Sequence, residues 1–70
     1  MSIRIDRVKL AAEMARREWR YKYLSELTGV SRATMSAITG GKTVHPITAQ
    51  RIADALNVPL ERLIETREGS

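Results

Sequence analysis

The short stretch Leu27-Thr28-Gly29-Val30-Ser31 constrains this chain more than any other. A glycine stands between two short amphipathic runs, followed at once by an apolar residue and a serine. Glycine enters the left-handed conformation at little cost, so it ends a helix where the chain must turn sharply. Serine is a preferred N-cap, so a new helix begins directly after it. Val30 plugs the corner. Short helices joined this tightly pack at a steep angle, and the outer face of the later one stands out as a ridge.

The earlier helix of this pair is expected from about Tyr21 to Thr28, with Leu24 and Leu27 or Thr28 inward. The later one runs from Arg32 to about Thr39. Met35 and Ile38, three residues apart, must face the core. That choice sends Arg32, Ala33, Ser36 and Ala37 outward or to the flanks. Gly40 and Gly41 stop the helix, and the loop from Lys42 to Pro46 follows.

Elsewhere the apolar period again indicates helix, with no convincing strand pattern. Asp6 can cap a first helix to about Glu18, with Val8, Ala11, Met14 or Ala15, and Trp19 inward. Thr48 can cap a fourth helix to Leu56, with Ala49, Ile52, Ala53 and Leu56 inward. Asn57 suits a left-handed end. Pro59 suits the first turn of a fifth helix, whose Leu63 and either Leu60 or Ile64 return to the core. The expected fold class is all-α: a compact five-helix domain over residues 6–66. Residues 1–5 are expected as a flexible arm or a short strand that pairs with something. Residues 67–70 are expected as a frayed tail.

Composition narrows the function. The chain holds no cysteine and one histidine, so it lacks a disulfide framework and a thiolate zinc site. His45 sits in a loop beside Pro46, away from any nucleophile–acid set. The run Thr39-Gly40-Gly41-Lys42 lacks the spacing and preceding strand of a phosphate-cradling loop. No enzymatic activity, metal or cofactor is expected. No apolar run approaches the roughly 18 residues that span a bilayer, and the N-terminus lacks a signal-peptide core. A cytoplasmic, non-membrane protein is expected.

Charge points to a partner. The formal net charge is +4. Residues 1–45 hold nine Lys and Arg against four acids, and residues 46–70 hold three against four. The basic excess therefore lies with the ridge, and a polyanion suits it. A DNA major groove admits one helix, and base edges are reached from its first turns. Arg32 can donate two hydrogen bonds to guanine O6 and N7. Ala33 and Ala37 offer methyls to thymine, and Thr34 and Ser36 offer hydroxyls. Phosphate contacts usually flank the reading helix. Lys22 lies before the ridge, Lys42, Thr43 and His45 lie just past it, and Gly41 is expected to leave its amide open.

The stretches LSELTGVSRATMSAITGGK and TAQRIADALNVPLERLI, in that order and spacing, resemble the Cro/C1-type helix-turn-helix family, the five-helix domain of lambdoid phage repressors and many small bacterial regulators. The resemblance runs from about Val8 to Ile64. It implies a lambda-repressor-like fold and operator reading by the third helix, as a two-fold dimer on palindromic double-stranded DNA in a bacterial or phage-infected cell. It implies base contacts from Arg32, Ala33, Ser36 and Ala37. Ser31 and Thr34 would lie beside the backbone or a base edge, and Lys42, Thr43 and His45 would occupy the phosphate-contacting loop. The chain also departs from the family. A Thr-Gln pair that often starts the second helix is Arg20-Tyr21 here, both able to reach phosphate although Arg20 cannot cap as threonine does. An alanine is Ser25, and an acid near the end of the third helix is Thr39.

The function expected is a sequence-specific transcriptional regulator of repressor type. Dimerisation would use the fifth helix or the N-terminal arm, and control would come through dimerisation, abundance or a regulatory protein partner. Two alternatives are a DNA-binding antitoxin, which would mask a toxin through a second surface, and a protein-interaction module on the same fold. The basic bias of residues 1–45 argues against the latter.

Overall fold

The computed structural model describes residues 1–65. In chain order these form strand β1 (Ile3–Arg4), helices α1 (Arg7–Arg17), α2 (Tyr21–Thr28) and α3 (Arg32–Thr39), strand β2 (Thr43–Val44), helix α4 (Pro46–Leu56) and a 3-10 turn at Leu60–Arg62. The tail expected at 67–70 lies outside the described residues.

Local chemistry sets the helix ends. The Asp6 carboxylate accepts from the amides of Val8 and Lys9, satisfying two donors that α1 cannot satisfy internally. Ser31 Oγ does the same for the Thr34 amide at 3.1 Å. Arg20, as N-cap of α2, makes no side-chain cap. Gly29 closes α2 at φ +78°, its N–H donating to the Ser25 carbonyl. Gly41 closes α3 at φ +88°. Its N–H donates to the Ile38 carbonyl and that of Lys42 to the Ala37 carbonyl, the paired bonds of a left-handed helix stop. The Gly41 amide is thus used inside the fold rather than left open.

Leu10, Met14, Leu24, Val30, Met35, Ile38, Ile52, Leu56 and Leu63 belong to one buried cluster. Burying a side chain of this size contributes about 1.5–3 kcal/mol, so the apolar stripes decide how each helix rotates. α2 packs on both α3 and α4.

Several expectations are corrected. The described residues form four α-helices, not five. Pro59 stays extended at ψ 147° and only one 3-10 turn follows. The chain then straightens, Ile64 bridging Ile5 while the Glu65 N–H donates to the Arg4 carbonyl. Helix α1 is also rotated from the expected phase. Val8 is 73% exposed and Ala11 and Ala15 are exposed; Met14 faces inward and Trp19 packs against the core as expected, and Leu10 and Glu13 join them. Leu10 and Met14 bury more surface than Val8 and Ala11, and Glu13 enters because Arg17 neutralises it. In α2, Leu24 is buried and, of the two alternatives beside it, Thr28 is half-buried while Leu27 is 49% exposed; Ser25 also turns inward, donating from Oγ to the Val30 carbonyl. Helix α4 starts at Pro46, capped by His45 rather than Thr48.

Two strands complete the fold. Ile3 pairs with Val44 and Arg4 with Thr43, antiparallel. The loop after α3 is therefore pinned to the N-terminal segment.

Glu13 is the one buried carboxylate among the described residues. Arg17 donates to its Oε1 at 2.8 Å and to the Leu56 carbonyl at 2.6 Å, tying α1 to the end of α4. Arg16 lies 3.5 Å from the same carboxylate. The hydrogen bond from Arg17 holds the Glu13 carboxyl below the ordinary glutamate range, against the opposing pull of burial.

Candidate nucleic-acid interface

Met35 and Ile38 are 3% and 0% exposed, which fixes the rotation of α3. The opposite side presents Arg32, Ala33 and Ser36 to solvent, with Ala37 half-buried. Apart from Arg32, these side chains are short, so the helix can approach another surface closely along most of its length.

Open clefts run along both sides of this ridge. One, of about 450 Å³, lies between α3 and the starts of α1 and α2, lined by Arg7, Tyr21, Lys22, Arg32, Ser36 and Thr39 among others. The other, of about 350 Å³, lies between α3 and the β2–α4 junction, lined by Ala33, Thr34, Ala37, Thr43, His45 and Thr48 among others. Of the eleven candidate site residues, nine therefore line one cleft or the other. Ser31 caps the start of α3, and exposed Lys42 follows its end.

The two clefts differ in electrostatics. Among the described residues Arg7, Lys22, Arg32 and Lys42 have no carboxylate partner; the ion pairs are Arg4–Glu65, Arg16–Glu13 and Arg17–Glu13. The first cleft holds three of those cations and no acid. The second holds hydroxyls and one imidazole.

Hydrogen bonds decide which donors face outward. Ser31 Oγ donates to Thr34 Oγ1 at 2.9 Å, so its proton is used, while the Thr34 hydroxyl proton stays available. Thr39 Oγ1 donates to the Ser36 carbonyl at 3.0 Å. The Ser36 hydroxyl has no partner among the described residues. His45 Nδ1 accepts from the Ile47 amide at 3.1 Å. The imidazole proton then sits on Nε2, which remains a donor.

Arg7 is absent from the sequence-derived site. It is 25 residues from Arg32 in the chain, and only the packing of α1 beside α2 and α3 brings it to the same cleft. Its Nη1 lies 3.4 Å from the Thr39 carbonyl at the end of α3. Beside the Asp6 cap, Arg7 gives no local signal of this role.

A profile described as the Cro/C1-type HTH DNA-binding domain matches residues 9–68. No curated protein matches the chain. Among solved structures the chain is similar to part of a point mutant of a hydroxyethylphosphonate dioxygenase, with a TM-score of 0.80 and 27% identity. The match covers 94% of this chain but 14% of that protein. Among the described residues no group of three or more His, Cys, Asp or Glu is placed to hold a metal ion, and no helix is long and apolar enough to cross a membrane.

Proposed function

The chain belongs to the Cro/C1-type helix-turn-helix DNA-binding domain family, and from that premise we propose that it is a transcriptional regulator that inserts α3 into the major groove of double-stranded DNA. One observation carries this: a ridge of mostly small side chains, led by a single long donor, stands between two open clefts whose walls, among the described residues, are free of acids. A groove-bound helix needs that shape, because the sugar–phosphate strands must pass on both sides of it.

Arg32 takes guanine, Ala33 and Ala37 meet thymine methyls, and Ser36 donates to a base edge. Tyr21 and Lys22 hold one backbone strand. Thr34, Thr43 and His45 hold the other, with Lys42 beside them and Ser31 at the helix start. Two copies on a palindromic site, half-sites about one helical turn apart, give the two-fold arrangement. As a repressor, such a protein acts by occupying the operator. No catalytic step is assigned to the chain.

A second reading, a protein-interaction module on this fold, is favoured by one feature. Tyr23 and Leu27, one turn apart on α2, are 47% and 49% exposed, and Tyr23 stacks edge-on to Trp19 at 5.0 Å. Titration against random duplexes at low and high salt separates the two readings. A DNA binder associates at low salt and loses affinity steeply as salt rises. No association at low salt leaves the protein-interaction reading.

A further inference from the structure

Three cations, each at the start of a helix, meet at one cleft. Arg7 opens α1, Lys22 lies in the first turn of α2, and Arg32 opens α3; none of these three first turns holds an acid. A helix N-terminus carries partial positive charge, so a cation there is disfavoured and an acid favoured. The placements of Lys22 and Arg32 therefore work against their own helices, whereas the Asp6 cap offsets the positive end of α1 beside Arg7; the three cations also repel one another where they share the same walls. None is neutralised by a carboxylate among the described residues. An arrangement that the free protein disfavours is relieved by an external polyanion.

Two of these residues already belong to the proposed DNA site, and Arg7 does not. Its guanidinium is anchored weakly, by one exposed 3.4 Å hydrogen bond to the Thr39 carbonyl. That bond uses one of five N–H donors, leaving the rest for the cleft. Arg7 lines the cleft by the C-terminal end of α3 and Arg32 by its N-terminal end, so a backbone strand beside α3 would pass both.

We propose that Arg7 is a further DNA-backbone contact, reaching a phosphate on the strand that passes between α1 and α3. It rests on the DNA-binding reading above. Arg7 carries no sequence information itself; it adds affinity for all duplexes alike.

The test is the salt dependence of binding of the full chain to a random 20-base-pair duplex and to a site selected from a random pool. Each neutralised phosphate contributes about 0.9 to the slope of log affinity against log salt. Arg7→Gln keeps an N–H donor for the Thr39 carbonyl but removes the charge. Its slope is expected to fall by about 0.9 on both duplexes, with the selected-to-random ratio unchanged. Arg7→Lys should keep the wild-type slope, and Lys22→Gln should lose one step as a reference. A wild-type slope in Arg7→Gln, alongside a reduced slope in Lys22→Gln, removes Arg7 from the DNA and leaves DNA binding standing. A changed selected-to-random ratio with an unchanged slope makes Arg7 only a brace for α3. If the wild-type chain binds no duplex at low salt, both the contact and the reading beneath it fall. Thermal melting of each variant identifies any that fold poorly, and Arg7→Glu, whose acid suits the start of a helix, carries the test if Arg7→Gln is one of them: its slope should fall by at least as much, and a wild-type slope overturns the contact.

Discussion

The seam between α1 and α4 and the ridge of α3 each depend on an arginine, and they treat its charge in opposite ways. At the seam, Arg17 gives hydrogen bonds to Glu13 and to the Leu56 carbonyl and lies 5.8 Å from the centre of the Trp19 ring. Its charge is answered within the fold. On the ridge, Arg32 has no carboxylate partner among the described residues and faces an open cleft. The difference teaches where to look for function in a basic domain: a cation already neutralised by its own chain holds structure, and one left unanswered is available to a partner.

Breaking the seam should have the largest effect. Arg17→Ala leaves the buried Glu13 carboxylate with only Arg16 beside it and removes three hydrogen bonds from a charged donor, so the melting temperature should fall by roughly 8 °C or more while the salt slope of DNA binding stays put. An unchanged melting curve would dissolve the comparison from its structural side. Arg32→Ala should do the reverse. Binding to a selected site should weaken by about 1–3 kcal/mol and lose preference at one base pair, with the melting temperature unmoved. If titrations of cognate and scrambled duplexes keep the wild-type ratio, Arg32 does not read bases.

His45 stands between the two classes, because Nδ1 caps α4 and Nε2 faces the second cleft. Removing a cap costs about 0.5–2 kcal/mol, so His45→Ala should lower stability by that order in chemical denaturation. His45→Asp, which keeps a cap acceptor and has no donor, should restore most of it without restoring the phosphate donor. Equal stability in the two variants would refute the cap.

The seam also makes an acid-sensitive prediction. The folded-state pKa of Glu13 is depressed by the Arg17 hydrogen bond. The stabilisation is therefore fully present above the unfolded value, about 4.3 for glutamate, and is lost as pH falls from there through the folded value. Melting temperatures across that range should drop more steeply for the wild type than for Glu13→Gln. Parallel curves would mean that Glu13 contributes nothing through its charge. The smallest effect is expected from Lys42→Ala, which should lower the salt slope by about 0.9, weaken all duplexes alike and leave stability alone.

Much of the ridge was legible because few residues compete for its core positions. Met35 and Ile38 left only one rotation of α3, and Gly29 and Ser31 marked its start. Helix α1 was harder. Val8, Ala11 and Ala15 also follow the helical period, and Glu13 does not look like an inward residue until Arg17, four positions on, is counted as its partner. That Glu–Arg spacing was visible and was the missed signal. At α4, Pro46 in the first helical position pointed to a start earlier than Thr48. The two-residue strands are too short for an alternating pattern, and their pairing depends on contacts some 40 residues apart in the chain. The position of Arg7 at the site is likewise a product of tertiary packing, which no local pattern encodes.

Selection of bound sequences from a random duplex pool, run in parallel with the wild-type chain and Arg32→Ala, tests the role of the ridge most directly. The expected result is an enriched, palindromic site for the wild type, with one base-pair position per half-site becoming indifferent in the variant. Recovery of no preferred sequence by the wild type, or of the same motif by both proteins, would contradict it.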